Sequence, residues 1–211
     1  MKLALFGRQG KVGRVLGPAL EAAGHEVHGF ARGDRPEVAG LDAAVDFTTP
    51  ETAPQNVRAC LEQDVDCVLG TTGVDVELLA PLAERRGRVL FHAPNFALGA
   101  VLMMRFAEQA AVLLPHAEII ELHADSKRDA PSGTAKATAD AMDGDVPIHS
   151  VRLPGIVAHQ EVLLSETGQL LTIRHDAYSR EAYVPGVLLA LKHVTELPPG
   201  VTTGLDRLLN V

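Results

Sequence analysis

Five short apolar runs with strand character, KLALFG, HEVHGFA, AAVDFT, DCVLGTTG and RVLFHAPN, recur through the first half of the chain. Between most of them lie stretches whose apolar positions repeat at helical spacing, KVGRVLGPALEAAG, TAPQNVRACLEQD and DVELLAPLAERRG. Strands alternating with helices predict a parallel sheet covered on both faces, the doubly wound α/β arrangement. Such a sheet binds ligands at the carboxyl ends of its strands. The informative loops fall there: GRQGKVG after the first strand, ARGD after the second, TTPE after the third, GTTG after the fourth and APNF after the fifth.

The pattern then changes. A long helix is predicted from Phe96 to about Leu114, followed by the strand AEIIELH and a helix starting near Ser132. Three extended runs come next, IHSVRLPGIV, HQEVLLSET and QLLTIRHDAY, and strands in succession without helices suggest a mixed sheet of their own. REAYVPGVLLALKHVTEL returns to helix, with Pro185 in its first turns, and TTGLDRLLNV closes the chain. FALGAVLMMRFAEQAAVLL is long enough to span a membrane, but Arg105, Glu108 and Gln109 interrupt it, so it reads as a core helix. The apolar run in MKLALFG is too short for a signal peptide and ends in glycines rather than a cleavage site.

Composition narrows the function classes. A hydrophobic content of 46% over 211 residues is ample for a buried core. The formal charge of -8 argues against a broad nucleic-acid surface, which needs a clustered excess of Lys and Arg, so any anion site must be local. Cys60 and Cys67, the only cysteines, both lie in apolar segments and read as core thiols, which fits a reducing cytoplasm. The histidines outside the stretch discussed below are scattered without metal-ligand spacing, and no metal is expected.

Gly7, Gly10 and Gly13 sit three apart, unlike the common G-x-G-x-x-G fingerprint, yet a strand precedes them and a helix follows. Backbone N–H groups at that helix start can hold a pyrophosphate. An acidic residue at the end of the second strand normally binds the adenine ribose, and an arginine there can hold a 2'-phosphate instead. Here the strand ends Phe30, Ala31, Arg32, which predicts that NADPH is used at least as well as NADH. Asp34 is the alternative ribose partner, reachable by a small shift of the loop.

The stretch HADSKRDAPSGTAK places His123, Lys127 and a Ser-Gly-Thr helix start within fourteen positions. Alone, His123 would be a strand-end histidine and Lys127 a solvated loop cation. Taken with GRQGKVG, VDFTTPE, LGTTG, APNFALGAVLM, GIVAHQEV and TIRHDAYSR, however, the chain resembles the 4-hydroxy-tetrahydrodipicolinate reductase family, formerly dihydrodipicolinate reductase, of the diaminopimelate route to lysine. The resemblance covers nearly the whole chain. It implies a dinucleotide-binding domain of residues 1–96 plus 181–211, and an α+β substrate domain of residues 97–180 whose mixed sheets associate into a homotetramer in the cytoplasm. It also implies hydride transfer from NADPH or NADH to a cyclic dicarboxylate, with the 4-hydroxyl lost as water.

By motif position the resemblance puts Gly7, Arg8, Gln9, Gly10, Lys11 and Val12 at the pyrophosphate and Arg32 at the adenosine end. Gly70, Thr71 and Thr72, with Ala93, Pro94, Asn95 and Phe96, would line the nicotinamide ribose and ring. A substrate with two carboxylates explains the helix start: Gly133 and Thr134 offer amides and a helix dipole to an anion, and Ser132 is the natural N-cap. Lys127 can neutralise the anion or deliver the proton, and His123 is the second acid–base candidate. Arg128 and Lys136 read as surface charges, and Arg180 as a supporting residue.

Two departures stand out. The family commonly carries histidine or basic residues just after the catalytic histidine, where this chain has Ala124, Asp125 and Ser126, so a substrate donor is missing and a negative charge added. The DGDVP link is short. Two other functions compete: a different two-domain NAD(P) oxidoreductase of the amino-acid dehydrogenase type, in which DAPSGTA would have no reason to appear, and a non-catalytic dinucleotide sensor.

Overall fold

The computed structural model describes residues 1–142 and 145–209. Asp143 and Gly144 of the DGDVP link, and Asn210 and Val211 at the end of TTGLDRLLNV, lie outside the described residues. The chain divides into two compact units, one formed by Met1–Phe96 and the segment from Tyr183 onward, the other by Ala97–Ala182.

The first unit opens with β1 (Lys2–Phe6), α1 (Gly13–Ala22), β2 (Glu26–Phe30), β3 (Ala43–Asp46), α2 (Ala53–Glu62), β4 (Asp66–Leu69), α3 (Ala80–Arg86) and β5 (Val89–His92). All strand pairs are parallel, in the order β5-β4-β3-β1-β2. β3 and β4 are buried at every position, as expected for strands covered on both faces, whereas β2 at the edge is not. The helix expected in DVELLAPLAERRG is broken into a 3-10 turn at Val76–Leu78 and α3. Pro81 accounts for the break, because it has no N–H to donate back to Glu77. Asp75 satisfies that turn by accepting from the Glu77 amide at 3.2 Å.

The second unit holds α4 (Leu98–Ala111), β6 (His116–His123), α5 (Gly133–Ala141), β7 (Ile148–Arg152), β8 (Ala158–Glu166) and β9 (Gln169–Ala177). Its sheet runs β7-β6-β8-β9, parallel between β6 and β7 and antiparallel elsewhere. α4 and α5 cover one face, burying Met103, Ala107, Ile119, Ala135, Val162 and Leu164. Residues that face each other across the strands share a face. Ile119, Val162 and Ile173 form an apolar row, and two residues further along the same face Ser150, Glu121, Gln160 and His175 form a polar one. The Gln160 amide donates to the Thr138 hydroxyl of α5 at 2.7 Å within that row.

The chain then returns to the first unit with α6 (Val184–His193), which carries Pro185 at its start, and β10 (Gly200–Thr203). β10 adds a sixth parallel strand outside β5, pairing Gly200 with Val89 and Thr203 with His92. The sequence pattern does not predict it, because GVTT is four residues long and shows no alternation. Among the described residues, no helix is long and apolar enough to cross a membrane.

Candidate active site

In the first unit β1 lies between β2 and β3, so the strand order reverses there, which is where an open α/β sheet leaves a crevice for ligand. A cavity of about 410 Å³ opens at that end, lined among others by Gly7, Gln9, Gly10, Arg32, Asp34 and Thr48. Gly7 has φ +78°, and a Cβ on it would collide with the Phe47 carbonyl oxygen. A Cβ on Gly13, the first residue of α1, would collide with the Gly7 carbonyl oxygen. The turn is therefore packed backbone against backbone, an arrangement only glycine permits.

The side chains of this region divide. Arg8 turns away from the cavity: its Nη2 donates to Glu21 at 2.8 Å and its stem lies over Gly29. Lys11 is exposed and Val12 half-buried just before α1. Arg32 and Asp34 both line the cavity, but Asp34 Oδ2 accepts from the Ala31 amide at 2.7 Å, so its carboxylate is tied to the tip of β2. Gly70, Thr71 and Thr72 follow β4; Thr71 is buried and Thr72 exposed. After β5, Ala93 and Phe96 are core residues, with Phe96 edge-on to Phe47 and Phe91, while Pro94 is exposed and Asn95 half-buried. The side chains of Ala93 and Phe96 are thus closed to a ligand.

What organises these loops is Asp46, which the sequence reading does not single out. It ends β3 fully buried. Its Oδ1 accepts from the Thr48 amide at 3.0 Å, the Thr48 hydroxyl at 2.7 Å and the Thr71 hydroxyl at 2.8 Å, and its Oδ2 accepts from Asn56 Nδ2 at 2.8 Å. One carboxylate thereby joins the TTPE loop, the GTTG loop and α2. The available signal was an acidic residue closing the apolar run AAVD.

In the second unit the HADSKRDAPSGTAK stretch leads from the end of β6 into α5. Ser132 is the N-cap of α5, its buried hydroxyl oxygen accepting from the Ala135 amide at 3.2 Å. Gly133 is exposed and Thr134 half-buried in the first turn, where the helix dipole favours an anion. Lys127 Nζ donates to both oxygens of Asp129 at 2.8 Å. Its ammonium holds the Asp129 carboxyl below the usual range. Arg128, Lys136 and Asp125 are exposed.

His123 bonds through Nδ1 to Glu121 Oε2. Glu121 is fully buried, and Arg152 at the end of β7 clamps it with Nη2 to Oε1 at 2.8 Å and Nη1 to Oε2 at 3.0 Å. The Ser132 amide also donates to Oε1, at 3.3 Å, and Arg152 Nη2 donates to the Asp129 carbonyl oxygen at 2.7 Å. Hydrogen bonds therefore join His123, the loop carrying Lys127 and the start of α5. Burial raises the Glu121 carboxyl, but hydrogen bonds from Arg152, Ser150 and His123 outweigh it and hold its pKa below the ordinary value. Burial lowers the His123 pKa; Glu121 opposes the shift, and Lys127 and Arg152 add to it. Glu121 and Arg152 are absent from the sequence reading. Their signal was modest: Glu121 occupies an inward position of AEIIELH, on the same face as Ile119 and His123. Among the described residues no cluster of His, Cys, Asp and Glu could hold a metal ion.

A glycine turn at the switch point of a parallel sheet and a histidine–lysine pair beside a helix start define the class, a two-unit dinucleotide-dependent oxidoreductase. Residues 28–96 match the N-terminal part of dihydrodipicolinate reductase and residues 99–209 its C-terminal part. The 4-hydroxy-tetrahydrodipicolinate reductase of Moorella thermoacetica is 47% identical over 223 residues, covering 92% of this chain and 80% of that protein. The enzyme of the same name from Cutibacterium acnes is 41% identical over 100% of this chain and 99% of its own length. The dipicolinate-bound dihydrodipicolinate reductase of Paenisporosarcina sp. TG-14 superposes with a TM-score of 0.80 at 34% identity, covering 99% of both chains. The chain belongs to the dihydrodipicolinate reductase family.

Proposed function

We propose that the chain reduces 4-hydroxy-tetrahydrodipicolinate to tetrahydrodipicolinate in the diaminopimelate route to lysine. One hydride and one proton are consumed, the 4-hydroxyl departs as water, and the nicotinamide leaves oxidised. The observation that carries this reading is the hydrogen-bonded group of His123, Glu121, Arg152, Asp129 and Ser132, which surrounds an anion-favouring helix start with acid–base residues. In this reading the first turn of α5, at Gly133 and Thr134, takes a substrate carboxylate, Lys127 exchanges Asp129 for the incoming anion or delivers the proton, and His123 is its acid–base partner.

The first unit fits a nicotinamide dinucleotide, judged by the glycine turn that any Cβ would fill and by the cavity beside it. When bound, the dinucleotide supplies the hydride. Gly7, Gln9, Gly10, Lys11 and Val12 would hold its pyrophosphate, with Arg8 contributing backbone alone. Arg32 would meet the adenosine end. Because Asp34 is engaged by the Ala31 amide while Arg32 lines the cavity, NADPH is expected to serve at least as well as NADH. A homotetramer in the cytoplasm completes the proposal. Exposed apolar side chains on the second unit, Phe106, Val112, Leu113, Leu153, Leu170 and Leu171, favour association through that unit.

Turnover tests the reading. The purified protein should oxidise NADPH only when aspartate semialdehyde, pyruvate and the upstream synthase supply substrate, with kcat/KM for NADPH at least equal to that for NADH. Lys127→Ala should lower kcat by about a hundredfold to ten-thousandfold with NADPH affinity nearly unchanged. No substrate-dependent oxidation would overturn the function, and an unaffected Lys127→Ala enzyme would remove Lys127 from it.

A further inference from the structure

We propose that Glu121 is a positioning residue: from its buried place on β6 it holds His123 as the Nδ1–H tautomer, presenting Nε2 to the substrate. This rests on the reductase reading above. Five donors surround the carboxylate: both Arg152 Nη groups, the Ser132 amide, the Ser150 side chain and His123 Nδ1. An ionised carboxylate can only accept. A neutral imidazole facing it through Nδ1 must therefore carry its proton on that nitrogen, since the other tautomer would set lone pair against lone pair. Nε2, which makes no hydrogen bond among the described residues, is left as the free acceptor. A ring held this way can take up or release a proton at Nε2 while the Nδ1 proton stays on the ring, hydrogen-bonded to Glu121.

The surroundings favour this role over a stabilising one. A buried ion pair usually contributes little beyond what packed apolar side chains would, and the adjoining row of the same sheet face is the apolar Ile119, Val162 and Ile173. The charged pair appears two residues further on, where the face reaches His123. Arg152 sits directly opposite His123 in the β6–β7 register, so its guanidinium can clamp Glu121 without reaching across the sheet. The same Glu121 oxygen that meets Arg152 Nη2 also meets the Ser132 amide. One carboxylate thus sets both the imidazole and the start of the anion-binding helix, and a change at Glu121 moves the two together.

Nitrogen-15 NMR of the wild-type ring at about pH 8, assigned by the signal lost in His123→Gln, reads the tautomer directly. A pyrrole-type Nδ1 and a pyridine-type Nε2 are expected; protonation at Nε2 would overturn the proposal. In Glu121→Gln, kcat should fall about tenfold to a hundredfold with the KM for NADPH within twofold. The acid limb of its kcat profile should move to lower pH, because the charge that favours the imidazolium is gone. A kcat within twofold of wild type and an unmoved limb would overturn the proposal; should the variant not fold, the wild-type ring assignment decides. Failure of the wild type to turn over would remove the reductase reading and leave that assignment standing.

Discussion

Asp46 and Glu121 are both fully buried carboxylates, and each centres a polar network at or near the end of a strand. They are satisfied differently. Among the described residues, Asp46 accepts from neutral groups alone, two threonine hydroxyls, a backbone amide and the Asn56 side chain. Glu121 sits between a guanidinium and an imidazole. A carboxylate among neutral donors fixes the shape of backbone, which is what a site for a bound dinucleotide requires. One among ionisable groups also governs where their protons lie, which is what a proton-transfer site requires.

The largest effect should come from breaking the charged network on one side. Arg152→Met leaves Glu121 buried without its counter-charge and should cost about 3–5 kcal/mol of stability by chemical denaturation. Adding Glu121→Gln should restore most of that loss, and a double variant no more stable than Arg152→Met would show that the two residues are not energetically a pair. The neutral network should be less costly to disturb. Asp46→Asn keeps the shape but turns a donor toward a donor, and should cost about 1–3 kcal/mol. It should also raise the KM for NADPH while kcat at saturating cofactor changes little; a kcat loss as large as that of Glu121→Gln would erase the distinction between the two sites.

The smallest effect is expected from pH. Burial lowers the pKa of His25, His92, His123 and His175, so the unfolded chain binds more protons than the folded one in that window. Their contribution is complete above the unfolded histidine value of about 6.5 and is lost as pH falls toward the lowered folded values. Glu121 and Asp129, with depressed pKa, contribute stability present above about pH 4 and lost as pH falls through their folded values. The melting temperature should therefore decline in two stages on acidification, and His123→Gln should flatten the first. A constant melting temperature between pH 7 and 5 would contradict this.

The alternation of strands and helices was legible because apolar periodicity reports which faces are covered. β10 was not, since a four-residue strand is specified by the free edge of β5 rather than by its own pattern. The HADSKRDAPSGTAK stretch was legible because its chemistry is contiguous, and the structure joins its histidine, lysine loop and helix start by hydrogen bonds. Its support was hidden for a topological reason. Arg152 becomes a neighbour of Glu121 only through the β6–β7 register, and Asp46 meets Thr71 only because β3 and β4 are adjacent. Arg8 shows the converse: its place in the glycine loop suggested phosphate, yet Glu21 on the following helix claims its guanidinium.

The return of the chain to pair β10 with β5 has a consequence during synthesis. As the polypeptide leaves the ribosome, the edge of β5 stays open while the whole second unit is made, and an open edge is a template for wrong partners. The second unit emerges in one piece and can fold first; the first unit, though begun earlier, is the last to be sealed.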